Sequence, residues 1–379
     1  MDIRFTSNSR PTLGIELELH VVDPSTGDLV SAAPDILAEI GGAHPGGEHP
    51  KAKPELFQST VEIITGVCET PGEAKADLEA TLLEVKEAAG ARGYTLMSSG
   101  THPFARSSEQ IVTADPRYHA LVEEMQWTAR RLLICGTHFH VGLQSGEQAI
   151  AVFNELQRYL PVLLIMSASS PYLETEDTGL ASSRSKVFES LPTAGLPPLL
   201  RDWGDFEDFM ETLLEAECIS SIREVWWDVR PHPDFGTVEL RMCDAAPTIR
   251  ETIAIAALAQ SLVARLAERY EQGDLPPLPR DWTIRENRWL AARHGVDAKL
   301  IVDDRGRREP AGDILARLVA ELRPTAARIG ASEELDDLLE LWRIGPSYVR
   351  QRRIIEAGGS YRDVVDSLIT ELQTDQPQR

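Results

Sequence analysis

The sequence predicts an α+β protein, with strands and helices mixed in residues 1–246 and mostly helices in residues 247–379. Short segments of the first part alternate apolar and polar residues with a period of two, as in strands that bury one face. After Pro247 the apolar residues recur instead at helical spacing, with short breaks. No internal repeat separates the two parts, and the helices can cover the apolar back of a sheet, so we expect one composite domain over residues 1–379.

Four predicted strands direct reactive side chains to a single face. In Leu13–Val22 every odd-numbered position is apolar, so the even-numbered polar residues share the opposite face. The other strands show the same alternation over shorter lengths. The strands and their reactive residues are Leu13–Val22 with Glu16, Glu18 and His20; 137–142 with His138 and His140; 237–243 with Glu239 and Arg241; and 58–64 with Glu62 and, just upstream, Glu55.

Helices are predicted where a capping residue precedes apolar residues at helical spacing. Capping boxes begin at Thr70, Ser145 and Thr248, and Asp115 begins another helix with proline in its first turn. We expect Pro161 to kink the helix that follows Ser145. Shorter helices are predicted at 206–214, 314–329, 335–341 and 361–372. Two segments rich in Gly and Pro are predicted to be mobile loops, namely 41–54 and 189–198.

The composition indicates a cytoplasmic globular protein that does not bind nucleic acid. Hydrophobic residues make up 42% of the 379, which is enough for a sizeable core. Polar and charged residues interrupt the most apolar stretch, 151–169, so we expect no membrane span. Nothing at Met1 resembles a charged and then apolar leader, so we expect no export signal. Four scattered cysteines without CxxC spacing favour buried thiols over disulfides or a zinc site. Lys and Arg total 38 against 60 Asp and Glu, and the net charge of -22 repels polyanions.

The carboxylates of these strands point to a metal site. Five of them lie on or beside the predicted strand faces, namely Glu16, Glu18, Glu55, Glu62 and Glu239. Gathering them on one surface without counterions would raise their pKa values and destabilise the fold. Bound cations resolve this difficulty, and oxygen ligands with one imidazole suit Mg2+ or Mn2+ better than zinc. Each motif alone also fits a solvated strand or a polar core group, but several together favour a metal site.

No glycine-rich loop of the P-loop or dinucleotide-binding type occurs in the chain. A bound nucleotide would therefore be held through metals and arginines. Guanidinium groups match phosphate and carboxylate oxygens in bidentate geometry, and three arginines lie in informative segments, namely Arg184, Arg230 and Arg241. No spacing singles out His20, His44 or His49, which we expect to be structural or loop residues.

Taken together, these segments resemble a known family. In family order the chain contains TLGIELEL (12–19), QSTVEI (58–63), GTHPF (100–104), THFHVG (137–142), ASSR (181–184), WDVRP (227–231) and FGTVELRMCD (235–244). The series resembles the YbdK-like carboxylate–amine ligases, which are type 2 glutamate–cysteine ligases within the glutamine synthetase-like superfamily. The similarity covers nearly the whole chain.

The resemblance implies a curved, mainly antiparallel sheet with helices on its outer face, and with ATP and Mg2+ or Mn2+ on its concave face. It implies six metal ligands in two sets, Glu16, Glu55 and Glu62 for one ion, and Glu18, His138 and Glu239 for another. Arg241 resembles a phosphate-contacting arginine. The residues that the resemblance places at the nucleotide are Arg241, Glu18 and Glu239. Arg184 and Arg230 resemble residues that hold the acid substrate or the transferred phosphoryl group.

The resemblance further implies an ATP-dependent ligase. It would join glutamate, activated at its γ-carboxylate as an acyl phosphate, to an amine such as cysteine, with release of ADP and phosphate. No protein nucleophile is required, so Cys68 and Cys243 are expected to be packing residues. Relatives of this kind suggest a dimer or larger homo-oligomer. Two other functions stay open, a hydrolase whose His138 and His140 bind a metal that activates water, and a non-catalytic relative that binds nucleotide or amino acid.

Overall fold

The computed structural model describes residues 3–378 and has the predicted α+β class. Its strands are short except for those at the centre of the main sheet. The strands are β1 (Leu13–Val22), β2 (Ala52–Pro54), β3 (Thr60–Ile64), β4 (Thr95–Met97), β5 (Gly136–Gly142), β6 (Tyr172–Leu173), β7 (Glu176–Asp177), β8 (Val229–His232), β9 (Thr237–Asp244), β10 (Lys299–Ile301) and β11 (Arg308–Pro310).

Seven of these strands form one sheet with the order β2-β3-β1-β5-β9-β8, and β4 pairs with the end of β1. Every named pair in this sheet is antiparallel. The sheet confirms the predicted strands at 13–22, 137–142 and 237–243, and the fourth candidate strand is shorter than predicted, at Thr60–Ile64. The other four strands form two small hairpins, β6 with β7 and β10 with β11.

Helices pack against the sheet and make up most of the chain after β9. The helices are α1 (Ala33–Gly41), α2 (Pro71–Ala91), α3 (Pro116–Met125), α4 (Trp127–Arg130), α5 (Gly146–Leu156), α6 (Leu160–Ser167), α7 (Arg184–Phe188), α8 (Trp203–Glu215), α9 (Ile249–Glu271), α10 (Asp281–His294), α11 (Ala311–Ile329), α12 (Ser332–Ile344), α13 (Ser347–Glu356) and α14 (Tyr361–Thr374). As predicted, the side chains of Thr70, Ser145 and Thr248 accept backbone hydrogen bonds at the starts of α2, α5 and α9.

The alternation in β1 separates an apolar back from a polar front. Leu13, Ile15 and Leu17 are at most 1% exposed and belong to the main hydrophobic cluster. The same cluster contains residues of α2, α5 and α6, and it continues into the C-terminal helices α9, α11 and α12. The helices therefore cover the back of the sheet and leave its polar front for a site.

Three details differ from the sequence prediction. The C-terminal part, predicted to be helical, also contains the hairpin β10–β11, in which Lys299 pairs with Pro310 and Ile301 pairs with Arg308. Instead of a kink at Pro161, the chain breaks between α5 and α6, whose axes bend by 66°, and Pro161 lies in the first turn of α6. The end of the predicted loop 41–54 forms β2 (Ala52–Pro54), whereas the predicted loop 189–198 contains no helix or strand.

No single helix within residues 3–378 has the length and apolar character that a membrane crossing requires. The bent pair of α5 and α6 passes that test only when the two are taken together, and nearly all of its residues are buried inside the protein.

Candidate active site

The reactive side chains meet on the front of the sheet because β1 lies between β3 and β5, and β5 lies beside β9. The register of these antiparallel pairs decides which residues face each other across neighbouring strands. The facing pairs are Glu16 with His138, Glu18 with Glu62, and His140 with Glu239.

Glu16 lies between the two histidines of β5. His138 Nδ1 is 2.7 Å from Glu16 Oε2, and His140 Nε2 is 3.4 Å from Glu16 Oε1. Burial would raise the pKa of Glu16, but the hydrogen bonds to both histidines lower it well below its usual value. Burial and then Arg241 lower the pKa of His138, whereas the pull of Glu239 and Glu16 outweighs burial and raises that of His140. Glu16 is therefore an ionised carboxylate at neutral pH.

Glu239 is 1% exposed and lies between two arginines. Arg230 donates from Nε and Nη2 to Glu239 Oε2 at 3.0 and 2.8 Å, and Arg241 pairs with Oε1 through Nη1. Burial would raise the pKa of Glu239, but Arg230 and Arg241 lower it well below its usual value. Its Oε1 also lies 3.9 Å from His138 Nδ1 and 3.8 Å from His140 Nε2, which brings it into the same cluster as Glu16.

Arg230 has little capacity left to bind a substrate. Besides its two bonds to Glu239, it donates from Nη1 to the carbonyls of Arg223 and Val225 at 2.9 and 3.0 Å. A guanidinium has five N–H groups, so these four bonds nearly exhaust it. The sequence resemblance implies direct contact with the acid or the phosphoryl group, but the structure places Arg230 against Glu239, where it orients that carboxylate.

Glu18, Glu55 and Glu62 form a second group of carboxylates between β1 and β3, with donor atoms within 4.8 Å of one another. Burial, followed by the charge of Glu18, raises the pKa of Glu55 to about 8. Burial, followed by the charge of Glu55, also raises the pKa of Glu62 well above its usual value. The Gly136 N–H donates to Glu18 Oε2 at 2.6 Å. These carboxylates repel each other, and a cation between them would relieve the repulsion.

The observed clusters group the ligands differently from the two sets that the resemblance implies. Glu55 lies with Glu18 and Glu62 rather than with Glu16, and the β1–β3 register places Glu18 directly opposite Glu62. The clusters with donor atoms within 4.8 Å of one another are Glu18, Glu55 and Glu62; Glu16, Glu62 and His138; and Glu16, His140 and Glu239. Glu16 and Glu62 are each shared between two clusters, and His140 joins the site although the implied metal ligands do not include it.

Arg184 reaches this site from the short helix α7. Its guanidinium lies over Gly136, two residues before His138 in β5, and its Nη2 donates to the Arg241 carbonyl at 3.3 Å. A Cβ on Gly136 would lie 2.0 Å from that Nη2, so only glycine leaves room for the guanidinium. Within the described part of the chain, the buried Nε and Nη1 of Arg184 and the buried Nε of Arg241 have no hydrogen-bond partner. Such donors fit an anionic ligand.

Sequence reasoning missed three residues around this site, namely Gly136, Asp228 and Arg288. Gly136 and Asp228 lie two residues before His138 and Arg230, so a period-two reading could have found them. Asp228 is 1% exposed, and its carboxylate binds Arg288 of α10, 60 positions away in the chain. No local pattern marks Arg288, because its importance depends on a long-range contact.

The histidines that were expected to be structural lie outside this cluster. His20 is fully buried beside Cys135, with Sγ 3.6 Å from Nδ1, and burial lowers its pKa to about 3. His44 and His49, which precede β2 in the chain, form a separate group with Glu84 of α2. His49 Nδ1 accepts the Lys51 N–H at 3.1 Å, so its Nε2 carries the proton and faces Glu84 at 3.4 Å. That tautomer makes a hydrogen bond rather than a ready metal ligand.

Comparison with known proteins agrees with this geometry. The family model of glutamate-cysteine ligase family 2 (GCS2) matches residues 12–367. A Frankia casuarinae protein provisionally named glutamate–cysteine ligase 2-1 is 51% identical over 378 residues, covering 100% of this chain and 99% of the relative. A Thermobifida fusca protein provisionally named glutamate–cysteine ligase 2 is 48% identical over 377 residues, covering 100% and 94%.

Solved structures show the same fold at low sequence identity. The Francisella tularensis glutamate–cysteine ligase in complex with AMP aligns with a TM-score of 0.71 at 12% identity, covering 99% of this chain and 91% of that one. A bifunctional glutathione synthetase from Pasteurella multocida aligns with a TM-score of 0.66 at 15% identity, covering 96% and 52%. The fold is the glutamine synthetase-like one that the sequence resemblance implies. The chain belongs to glutamate-cysteine ligase family 2.

Proposed function

We propose that this protein is an ATP-dependent carboxylate–amine ligase that forms an amide through an acyl phosphate and releases ADP and phosphate. The acid is glutamate, activated at its γ-carboxylate, and the amine is cysteine or a similar compound. The proposal depends on one observation, the cluster of carboxylates and imidazoles beside arginines that have unpartnered N–H groups. A polyphosphate that carries divalent cations matches both halves of that cluster.

The donor set fits Mg2+ or Mn2+, which prefer oxygen ligands. Burial and the neighbouring carboxylates raise the pKa values of Glu55 and Glu62, and bound cations would offset both effects. We assign the ligand role to Glu16, Glu18, Glu55, Glu62, His138 and Glu239. Divalent ions at these residues would neutralise the phosphate oxygens of the nucleotide.

The arginines have different roles in the proposed reaction. Arg241 and Arg184 have buried N–H groups without a hydrogen-bond partner among the described residues, so we assign them to phosphate or substrate carboxylate oxygens. Arg230 acts through Glu239, which it orients with two hydrogen bonds. Catalysis would then consist of positioning and charge stabilisation, as in other phosphoryl transfers.

The proposed chemistry has two steps and needs no protein nucleophile. An oxygen of the substrate carboxylate attacks the γ-phosphorus, the bond to the β-phosphate oxygen breaks, and ADP leaves. The amine nitrogen then attacks the acyl carbon, phosphate leaves, and the amine loses a proton. Burial raises the pKa of Cys243 to about 12 and that of Cys68 above its usual value, so both thiols stay protonated. The proposal also includes a cytoplasmic location and a homo-oligomer.

The test is ADP release from purified protein with ATP, Mg2+, glutamate and cysteine, each omitted in turn. A ligase requires all four together, and the product is the amide. Substituting Glu239→Gln or Glu16→Gln should lower the rate at least about a hundredfold, because several kcal/mol of charge stabilisation is lost. Glu87→Gln, at an exposed position of α2, is the matched control and should keep full activity.

Other outcomes would replace the proposal. Turnover without ATP that depends on His138 and His140 would indicate a metal-dependent hydrolase. Nucleotide binding without any amide formation, over a full set of amino acid pairs, would indicate a non-catalytic relative. Full activity of Glu239→Gln or Glu16→Gln would refute the assigned metal site.

A further inference from the structure

Arg288 is a buried arginine of α10 that contacts the segments carrying two of the site arginines, Arg184 and Arg230. It is 3% exposed and lies in the helical C-terminal part, away from the strands that the sequence motifs mark. A buried guanidinium is costly unless carboxylates surround it, so its position calls for an explanation.

Two carboxylates and one carbonyl surround this guanidinium. Asp228 accepts from Nε and from Nη2, the latter at 3.0 Å, in a two-point fork. Glu189, at the end of α7, accepts from Nη1 at 2.8 Å. The Ser185 carbonyl, next to Arg184, lies 3.5 Å from Nη2. Arg288 thus joins α7 to the residue that leads into β8.

Further hydrogen bonds close this set of contacts into a ring. The Asp228 carbonyl accepts the Arg241 N–H at 2.8 Å, and the Arg241 carbonyl accepts from Arg184 Nη2 at 3.3 Å. The ring therefore runs from Arg288 to Asp228, then to Arg241 and then to Arg184. It closes through Ser185, the residue after Arg184, whose carbonyl lies beside Arg288. Arg230 follows Asp228 by two positions in β8 and faces the same site.

The elements that Arg288 joins have little support of their own. Strand β8 is at the end of the described sheet, where it pairs with β9 alone. Helix α7 has only five residues, too few to be stable by itself.

From this ring we infer that Arg288 is a positioning residue, which fixes Arg184, Arg230 and Arg241 relative to one another without touching the substrates. The inference rests on the proposed ligase function, because it assumes that these arginines serve phosphoryl transfer. Lysine cannot replace Arg288 fully, since an ammonium cannot form the two-point fork with Asp228 while also reaching Glu189.

The C-terminal part offers a matched control in Arg350 of α13. It is 4% exposed and binds two buried carboxylates, Glu251 and Glu371, at 2.8 to 3.1 Å, and it also donates to the Gly345 carbonyl. Arg350 has the same kind of environment as Arg288, but its ion pairs join α9, α13 and α14 and involve none of the site arginines.

The experiment compares Arg288→Met and Arg288→Lys with Arg350→Met and Arg350→Lys. All four should lower the melting temperature. We expect Arg288→Met to lower kcat/KM for the acid about a hundredfold and Arg288→Lys about tenfold, as misplaced catalytic groups do. Both Arg350 variants should stay within about threefold of the original activity. If Arg288→Met fails to fold, Asp228→Asn takes its place in the comparison. It keeps the shape of the side chain but removes the charge that pairs with Arg288.

Equal losses of activity in the Arg288 and Arg350 variants, in proportion to lost stability, would overturn the inference. So would unchanged activity of Arg288→Lys and Asp228→Asn. Crystal structures of Arg288→Met and Arg350→Met distinguish a failure of this inference from a failure of the proposed function. The guanidinium groups of Arg184 and Arg241 should move only in the first, whether or not the protein ligates the expected substrates, and unmoved groups would contradict the inference.

Discussion

At the level of single residues, Gly136 shows how an absent side chain shapes the site. Arg184 occupies the place that a Cβ at residue 136 would take, so we expect Gly136→Ala to displace the guanidinium. Activity should fall at least about tenfold through misplacement of Arg184, and stability should fall by about 1–3 kcal/mol through overpacking. Steady-state kinetics and urea unfolding measure the two effects.

The control for this change is Gly90→Ala, because Gly90 is exposed in α2 and a Cβ there has no heavy atom within 4 Å. It should raise stability by up to about 1 kcal/mol and leave activity unchanged. Full activity of a Gly136→Ala variant would show that the Arg184 guanidinium can move away from residue 136 without loss of function. That result would contradict the role assigned to Arg184.

The reactive residues themselves could be predicted from local spacing. Alternation with a period of two identifies Glu16, Glu18, His138 and Glu239, because each lies on a strand whose other face is apolar. The grouping of these residues could not be predicted, since it depends on register between strands that are far apart in the chain. Arg230 illustrates the same limit, because only the structure shows that carbonyls and Glu239 occupy its donors.

At the level of secondary structure, the missed strands have physical reasons. Strand β8 contains Pro231 and has four residues, and proline normally argues against a strand except at a sheet edge, where β8 lies. The strands β4, β10 and β11 have three residues each, too few for an alternation to be visible. Long elements such as β1, α2 and α9 carry full caps or full alternation, so the sequence predicts them well.

His102 joins the segment after β4 to the turn after β1, and it provides a prediction about pH. Its Nε2 lies 2.8 Å from the Gly27 carbonyl, and its Nδ1 accepts the N–H groups of Phe104 and Ala105 at 3.3 and 3.0 Å. These contacts require the neutral ring with the proton on Nε2. A proton on Nδ1 would face the N–H groups of Phe104 and Ala105, so both hydrogen bonds would be lost. Burial lowers the pKa of His102 to about 4.

The unfolded chain takes up this proton near its ordinary pKa of about 6.5, above the folded value. The contribution of neutral His102 is therefore complete above pH 6.5 and is lost as the pH falls towards 4, by about 3 kcal/mol. Urea unfolding from pH 7 to pH 4 measures this loss in the original protein. His102→Asn keeps an acceptor for the two N–H groups but cannot titrate. Between pH 7 and pH 4 its free energy of unfolding should therefore fall by about 3 kcal/mol less than that of the original protein. Parallel curves would contradict the assignment.

At the level of the whole molecule, the helical C-terminal part and the sheet share one hydrophobic cluster. In α9, every residue from Ile249 to Leu266 is buried except Arg250 and Arg265. Its apolar side chains belong to the cluster that contains Leu13, Ile15 and Leu17 of β1. The ring through Arg288 adds a polar connection between the two parts. The sheet therefore has no complete apolar covering without residues 247–379.

We accordingly expect residues 1–246 alone not to fold, because the back of the sheet would be exposed to water over the area that α9 covers. The full chain should unfold in one cooperative transition, and hydrogen exchange should give β1 and α9 the same opening free energy. A fragment of residues 1–246 that is soluble and monomeric, with sharp unfolding, would contradict this expectation and indicate two domains. Two separate transitions in the full chain, one for each part, would also indicate two domains. The site would then lie wholly within the first domain except for the support from Arg288.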